Sequence, residues 1–279
     1  CMGNQLRAHG YNTYAYHDHY FDYYERDKSH PNMGYEYKGL GNGLNLTETW
    51  PESDVEMIDV TAPEYIGKQP FHTYYMTVSG HLQYTFNGNY MSFKNKALVE
   101  HLYYSEEVKA YLACNIELDR AMELLIRKLE EAGIADDTVI AISPDHYPYG
   151  LEISKIGELA GHDIETNFEI YKGIFLLWSK GIKPVIIDEP CSSLDIMPTL
   201  SNLMGLEFDS RLFMGRDMMS DTEPLVLFNN RSWITDKASY NAVTGELCTK
   251  DGVVLDDNYK KKISDEVKQK FKYSALILE

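Results

Sequence analysis

The sequence predicts an α/β protein: a three-layer α/β/α sandwich with a largely parallel central sheet, plus a small C-terminal antiparallel sheet with a helix. Three observations carry this. Two near-continuous apolar runs, "DTVIAIS" at 137–143 and "GIFLLWS" at 173–179, have the texture of strands covered on both faces. A long amphipathic helix over 105–132 precedes them, so strands and helices alternate. After about residue 223 that alternation gives way to short β-rich pieces separated by turn residues.

Taken in order, the elements justify themselves locally. "NQLRAHG" reads as the end of a helix, stopped by Gly10, and "YNTYAYH" (11–17) is aromatic and β-rich. Residues 18–70 are rich in Tyr, Gly, Asn and Pro and read as a long irregular insertion, a kind of segment that is often functional. "FHTYYMTVSGH" (71–81) is a second strand ending in Gly and His. Over 105–132, Val108, Tyr111, Leu112, Leu118, Met122, Leu125, Ile126 and Leu129 recur at helical spacing. Ser105 is placed to cap that helix and Gly133 to stop it. "SSLDIMPTLSNLMGL" (192–206) is a further helix with a Ser cap and a Gly205 exit. "PLVLFNN", "SWITDKASYN" and "LCTKDG" are short strands, and a charged helix covers roughly 257–273. The expected division is an α/β domain over 1–222, its N-terminal part missing, and a small α+β subdomain over 223–279, packed on it.

The composition, 44% hydrophobic and 13% aromatic over 279 residues, supports a real core and argues against disorder. With 26 basic and 43 acidic residues the formal charge is −17. Such a surface repels nucleic acid and anionic lipid except at a local basic patch, so an anionic substrate needs a metal or a few placed cations. Cys1, Cys114, Cys191 and Cys248 lie far apart, which is neither a disulfide framework nor a zinc ribbon. No signal peptide is visible, and runs such as "GIFLLW" are far shorter than the ~18–20 residues of a spanning helix. The chain opens in what reads as the middle of a domain, so the expectation is a soluble portion of a longer protein.

In open α/β sheets, ligand-binding and catalytic groups gather at the carboxyl ends of strands. Three predicted strands here end in histidine: His17, His81 and His146. A single histidine at a strand end is usually a polar terminus; three at matching ends point to a common edge. Asp145-His146 offers a carboxylate and an imidazole, donors suited to Mn²⁺, Mg²⁺ or Zn²⁺, on a turn implied by Pro144 and Pro148. The alternative is an Asp capping the next loop beside a surface His. His17-x-His19 puts two rings on one side of an extended chain. Tyr20, Tyr23 and Tyr24 make an aromatic loop an equal reading, so His17 is kept as a site residue and His19 is assigned to packing or surface. Arg26 can grip phosphate or sulfate oxygens, or pair with Glu25 or Asp27 at the surface. His9, His30, His72 and His101 read as structural or solvent-facing, and His162 as a less favoured further ligand.

"DDTVIAISPDH" resembles the strand-to-Asp-His segment of the alkaline phosphatase and sulfatase superfamily, and "DIMPTLSNLMGL" with "GRDMM" the segment after it. "AYHDHYFDYYERD", "YYMTVSGHLQYTF" and "VLFNNRSWIT" resemble the lipoteichoic acid synthase-like branch, whose members are membrane-anchored phosphoglycerol transferases of bacterial surfaces. The resemblance spans nearly the whole chain. It implies that Asp145 and His146 ligate a catalytic divalent metal, Mn²⁺ foremost, and that His81 stands beside the scissile phosphate. It implies that His17 and Arg26 contact the substrate phosphate or glycerol, with Tyr24 where the family often has Trp. The implied substrate is an anionic, lipid-linked glycerophosphate at the outer face of the cell membrane. The family's nucleophilic Thr and an acidic metal ligand lie upstream of the matching region, together with the expected anchor. This portion alone is therefore expected to be inactive. Two other readings stand: a sulfatase or phosphoethanolamine transferase on the same fold, and a non-catalytic surface-binding domain.

Overall fold

The computed structural model describes residues 1–276. The chain forms two compact units, the first Cys1–Ile182 and the second beginning at Lys183.

In the first unit the elements run α1 (Met2–Ala8), β1 (Asn12–Tyr20), α2 (Arg26–Asn32), β2 (Glu36–Leu40), β3 (Gly43–Leu44), α3 (Asp54–Tyr65), β4 (Phe71–Met76), α4 (Tyr90–Val99), α5 (Glu106–Glu131), β5 (Ile140–Ile142), α6 (Ile153–Ala160) and β6 (Leu176–Trp178). Strands β3-β2-β1-β4 form one sheet in that order, every pairing parallel. β1 is its centre, with six consecutive buried residues from Thr13 to Asp18. The pleat sends Tyr14 and Tyr16 to one face, where they meet Met57, Ile58, Ala62 and Tyr65 of α3 and Ala121, Leu125 and Leu129 of α5. Ala15 faces the other way with Tyr35 and Tyr37, the side on which Gly3 of α1 approaches Tyr35 so closely that a Cβ would lie 2.7 Å from the ring. Helices therefore cover both faces, as the predicted sandwich requires. Each fully buried aliphatic side chain here contributes roughly 1.5–3 kcal/mol.

Three expectations change. Residues 18–70 are not irregular: they hold α2, β2, β3 and α3. Ser53 caps α3 by accepting from the Glu56 amide at 3.1 Å. The run at 137–143 is not a central strand covered on both faces. Only Ile140–Ile142 is strand, paired antiparallel with β6 in a separate two-stranded sheet, and Ala141 is exposed. Of the three strands proposed as neighbours, only β1 and β4 pair, and β4 ends at Met76, five residues before His81. The long helix and its stop match the sequence reading, with Gly133 at φ +70°. Ser105 spends its hydroxyl on Glu158 (2.7 Å) rather than on a cap.

The second unit contains α7 (Ile196–Leu203), an antiparallel sheet of order β10-β9-β8-β7 and α8 (Tyr259–Leu276). The strands are β7 (Leu225–Leu227), β8 (Trp233–Thr235), β9 (Ala238–Tyr240) and β10 (Leu247–Thr249). Trp233, Ala238, Ile263 and Val267 form its core. The division falls at 182/183, whereas the sequence texture changes at 222/223. Buried Asp195 and Thr199 hold the amides of Arg216 (2.7 Å) and Met218 (2.9 Å), and Lys270 of α8 donates to the Met214 carbonyl (2.9 Å). These bonds tie α7 and the 214–218 segment to the same unit as α8. Among the described residues no helix is long and apolar enough to cross a membrane.

Candidate active site

Parallel pairing puts the carboxyl ends of β1 and β4 on one edge, and the segments leaving that edge carry the candidate residues. His17, near the end of β1, is 2% exposed. Its Nδ1–H donates to the Met76 carbonyl of β4 at 3.0 Å, and its Nε2 accepts from Arg26 Nη1 at 2.6 Å. Burial first, and then the Arg26 charge, push this imidazole down to about 4. It is therefore the neutral acceptor that an arginine needs. Arg26 opens α2 and lies over the rings of Tyr23 (5.5 Å) and Tyr24 (5.8 Å). The surface ion pair with Glu25 or Asp27 does not form; Glu25 pairs with Lys28 instead. One of Arg26's five N–H donors is engaged among the described hydrogen bonds, so the others remain for an oxyanion.

Tyr24 and Glu25 both adopt left-handed backbone, φ +54° and +53°, which costs of order 1 kcal/mol or more per non-glycine residue. That strain holds Tyr24 77% exposed beside Arg26. His81 lies in the loop after β4. Asp54, fully buried, fixes this loop by accepting from the amides of Val78 (3.0 Å) and Ser79 (3.2 Å) and from the Ser79 hydroxyl. The His81 Nδ1–H donates to the Leu82 carbonyl (3.1 Å), and its ring packs 5.1 Å from Trp50. Trp50 in turn packs 5.3 Å from His19, which stands 6.0 Å from His17. A continuous wall thus runs Tyr24–Arg26–His17–His19–Trp50–His81.

Asp145 and His146 sit outside direct contact with this wall, on the turn after β5. Asp145 is 88% exposed, and its Oδ1 lies 3.5 Å from His146 Nε2. The turn is nonetheless adjacent: a Cβ on Gly150 would fall 2.7 Å from Leu82 Cβ. His146 donates Nδ1–H to the Tyr147 carbonyl (2.8 Å), leaving Nε2 as the ligating nitrogen, the usual arrangement for a metal-binding histidine. In donor type and spacing the pair fits two ligands of a divalent cation. Among the described residues no group of three or more His, Cys, Asp or Glu side chains is gathered for a metal, so other donors must complete such a shell. His162, the weaker metal candidate, bonds Glu169 at 2.6 Å. The sequence reading missed Trp50 and Glu52 and set His19 aside. The H-x-H spacing was the available signal for His19; for the other two there was none.

Residues 1–206 match the family model described as Sulfatase. This chain belongs to the sulfatase family. Among similar proteins of this enzyme family, the lipoteichoic acid synthase-like YvgJ of Bacillus subtilis (strain 168) is 24% identical, over 95% of the chain and 45% of its own length. The lipoteichoic acid synthase of Staphylococcus saprophyticus is 28% identical, over 83% of the chain and 36% of its own length. The chain thus spans less than half the length of these relatives. Among solved structures, the lipoteichoic acid synthase LtaP from Listeria monocytogenes superposes with a TM-score of 0.75 at 20% identity, over 98% of this chain and 72% of that one. That match gives the sulfatase-family chain its fold, in agreement with the predicted sandwich.

Proposed function

We propose that this chain is part of a metal-dependent phosphoglycerol transferase that acts on a lipid-linked glycerophosphate at the outer face of a bacterial membrane. The observation that carries the reading is the Arg26–His17 pair. It is a guanidinium held by a buried neutral imidazole, with donors to spare, at the carboxyl edge of a parallel sheet and on one wall with His81, from which the rings of His19 and Trp50 separate it. The similarity to lipoteichoic acid synthases supports the same reading.

In this reading Arg26 binds the non-bridging phosphoryl oxygens through its unused N–H groups and stabilises them as charge builds. The family resemblance gives His17 direct substrate contact. With both ring nitrogens engaged, its part is instead to aim Arg26. His81, its Nδ1–H held by the Leu82 carbonyl, presents Nε2 to the departing glycerol or alcohol oxygen and, as the imidazolium, gives that oxygen its Nε2 proton. Tyr24 and Trp50 wall the site. Asp145 and His146 hold a divalent cation, Mn²⁺ in this proposal, which supplies positive charge to the reacting oxygens. The nucleophile is a Thr outside these 279 residues, so the chain alone turns over no substrate and holds Mn²⁺ weakly.

The test is made in the full-length protein with a chromogenic phosphodiester. Arg26→Ala is expected to lower kcat/KM by two orders of magnitude or more, the scale of a lost transition-state donor. Asp145→Ala is expected to lower both metal content and turnover. Survival of metal content and activity in Asp145→Ala defeats the metal assignment. Faster turnover of a sulfate ester than of the phosphodiester transfers the reading to a sulfatase.

A further inference from the structure

Between Glu64 and Glu100 the chain carries three lysines and no aspartate or glutamate, in a molecule with 43 acidic residues and a formal charge of −17. This stretch holds β4, the His81 loop and α4. α4 turns Ser92 and Asn95 to the Ala110 and Ala113 carbonyls of α5, and its Met91 and Val99 join the core there. The opposite face, with Tyr90, Phe93 and Ala97 at helical spacing, is exposed. Phe93 is 62% exposed, and Tyr103, just past the helix, is fully so. Lysines flank that face: Lys94 pairs with Glu117, and the Lys96 ammonium lies 5.1 Å from the centre of the Phe86 ring. Exposed aromatic rings, with lysine stems laid along apolar surface, suit a boundary between water and lipid. Lysine is depleted where proteins meet proteins, whereas at a bilayer it meets anionic headgroups. Charges beyond ~8 Å are largely screened at physiological salt, so this local surface rather than the overall charge decides what it touches. The face also adjoins the candidate site. The Tyr90 amide donates to the Trp50 carbonyl (2.7 Å), and buried Asn89 donates to the carbonyls of His81 (2.9 Å) and Gln83 (3.1 Å).

We propose that the exposed face of α4, with Tyr103, rests on the anionic headgroups of a lipid bilayer. Docked this way, the wall from Trp50 to His81 stands beside the layer in which the phosphate of a lipid-linked ester lies. The inference rests on the reading above for that ester and goes beyond it in naming the surface that meets the membrane.

The test floats the 279-residue chain with vesicles of phosphatidylcholine, alone or with phosphatidylglycerol added. Partition should favour the anionic vesicles and fall as salt rises. Phe93→Ser combined with Tyr103→Ser removes two inserting rings and should weaken it about tenfold or more. Lys96→Gln should weaken it roughly fivefold, on the anionic vesicles alone. All three side chains are exposed, so melting temperatures should stay at the wild-type value. No binding by the wild type, or undiminished binding by the double variant, overturns the inference. Self-association that the double variant abolishes, without vesicle binding, gives the face to a second copy and overturns it likewise. Turnover of the soluble phosphodiester by the full-length protein distinguishes the two failures. Turnover without vesicle binding keeps the phosphate site and removes the docking face; vesicle binding without turnover keeps the docking face and removes the transferase reading.

Discussion

Asp18 lies between His17 and His19 in sequence, yet the pleat turns it to the opposite side of β1. It is fully buried, and neither oxygen meets an N–H or hydroxyl donor. Its neighbour is Asp54, the carboxylate that fixes the His81 loop. Two adjacent buried carboxyl groups cannot both ionise. Burial first, and then the Asp54 charge, raise Asp18 well above the ordinary carboxylate range, which favours its protonated form beside Asp54. A group raised in the folded state stabilises at low pH, and its contribution fades as pH climbs through the folded value. Asp18→Asn replaces that proton with an amide N–H. The variant should be at least as stable as the wild type and should lose the decline on the alkaline side, as read by urea midpoints from pH 5 to 9. An unchanged alkaline slope in Asp18→Asn removes the protonated Asp18. None of this was legible in the sequence, where Asp18 read as one more polar residue of a histidine-rich strand end. A pair of buried, interacting carboxyl groups joins residues thirty-six apart, and no local pattern records it.

At the scale of elements, Glu117 is the tie between three helices. It is fully buried on α5, accepts from Ser53 at the start of α3, and pairs with Lys94 of α4 at 2.8 Å. Glu117→Ala leaves the Ser53 O–H without an acceptor in the interior, while its oxygen still caps α3, and should cost about 1–3 kcal/mol. A lower chemical-denaturation midpoint with an unaltered m-value would show this; no change would mean that the contact adds nothing. α5 was legible because its apolar positions repeat over seven turns. α3 was not, although Ser53-x-x-Glu56 is a capping signature, because Pro63 and the Gly- and Asn-rich flanks masked its period. The run at 137–143 has strand composition, but composition does not name a partner. Pairing with β6 rather than β1 is decided by the chain connection, which periodicity does not carry.

For the molecule as a whole, the buried titratable groups bound stability from both sides. His17 and His72 are each held near 4 by burial, against an ordinary 6.5. His72 also accepts from the Tyr35 hydroxyl at 3.0 Å. Between 6.5 and 4 the unfolded chain takes up protons that the folded one refuses, so stability falls as pH drops through that window. With the Asp18 proton lost on the alkaline side, thermal midpoints should trace a dome, and His72→Asn should flatten its acid arm. A monotonic profile would contradict both assignments. The fold class could be read from the alternation of elements and His17 from its place near the end of β1, whereas His81, five residues past β4, and Arg26, at the start of α2, stand beyond the strand ends. The second tier of carboxylates behind them, Asp18, Glu52 and Asp54, could not, since the group that each meets lies on a different segment. One of those carboxylates has a wider consequence. Asp54 grips the His81 loop by its main-chain amides at 78 and 79, so the path of that loop depends little on its own side chains. Side chains at neighbouring positions other than Ser79, whose hydroxyl Asp54 also holds, could be exchanged with the path of the loop kept and the scaffold unaltered.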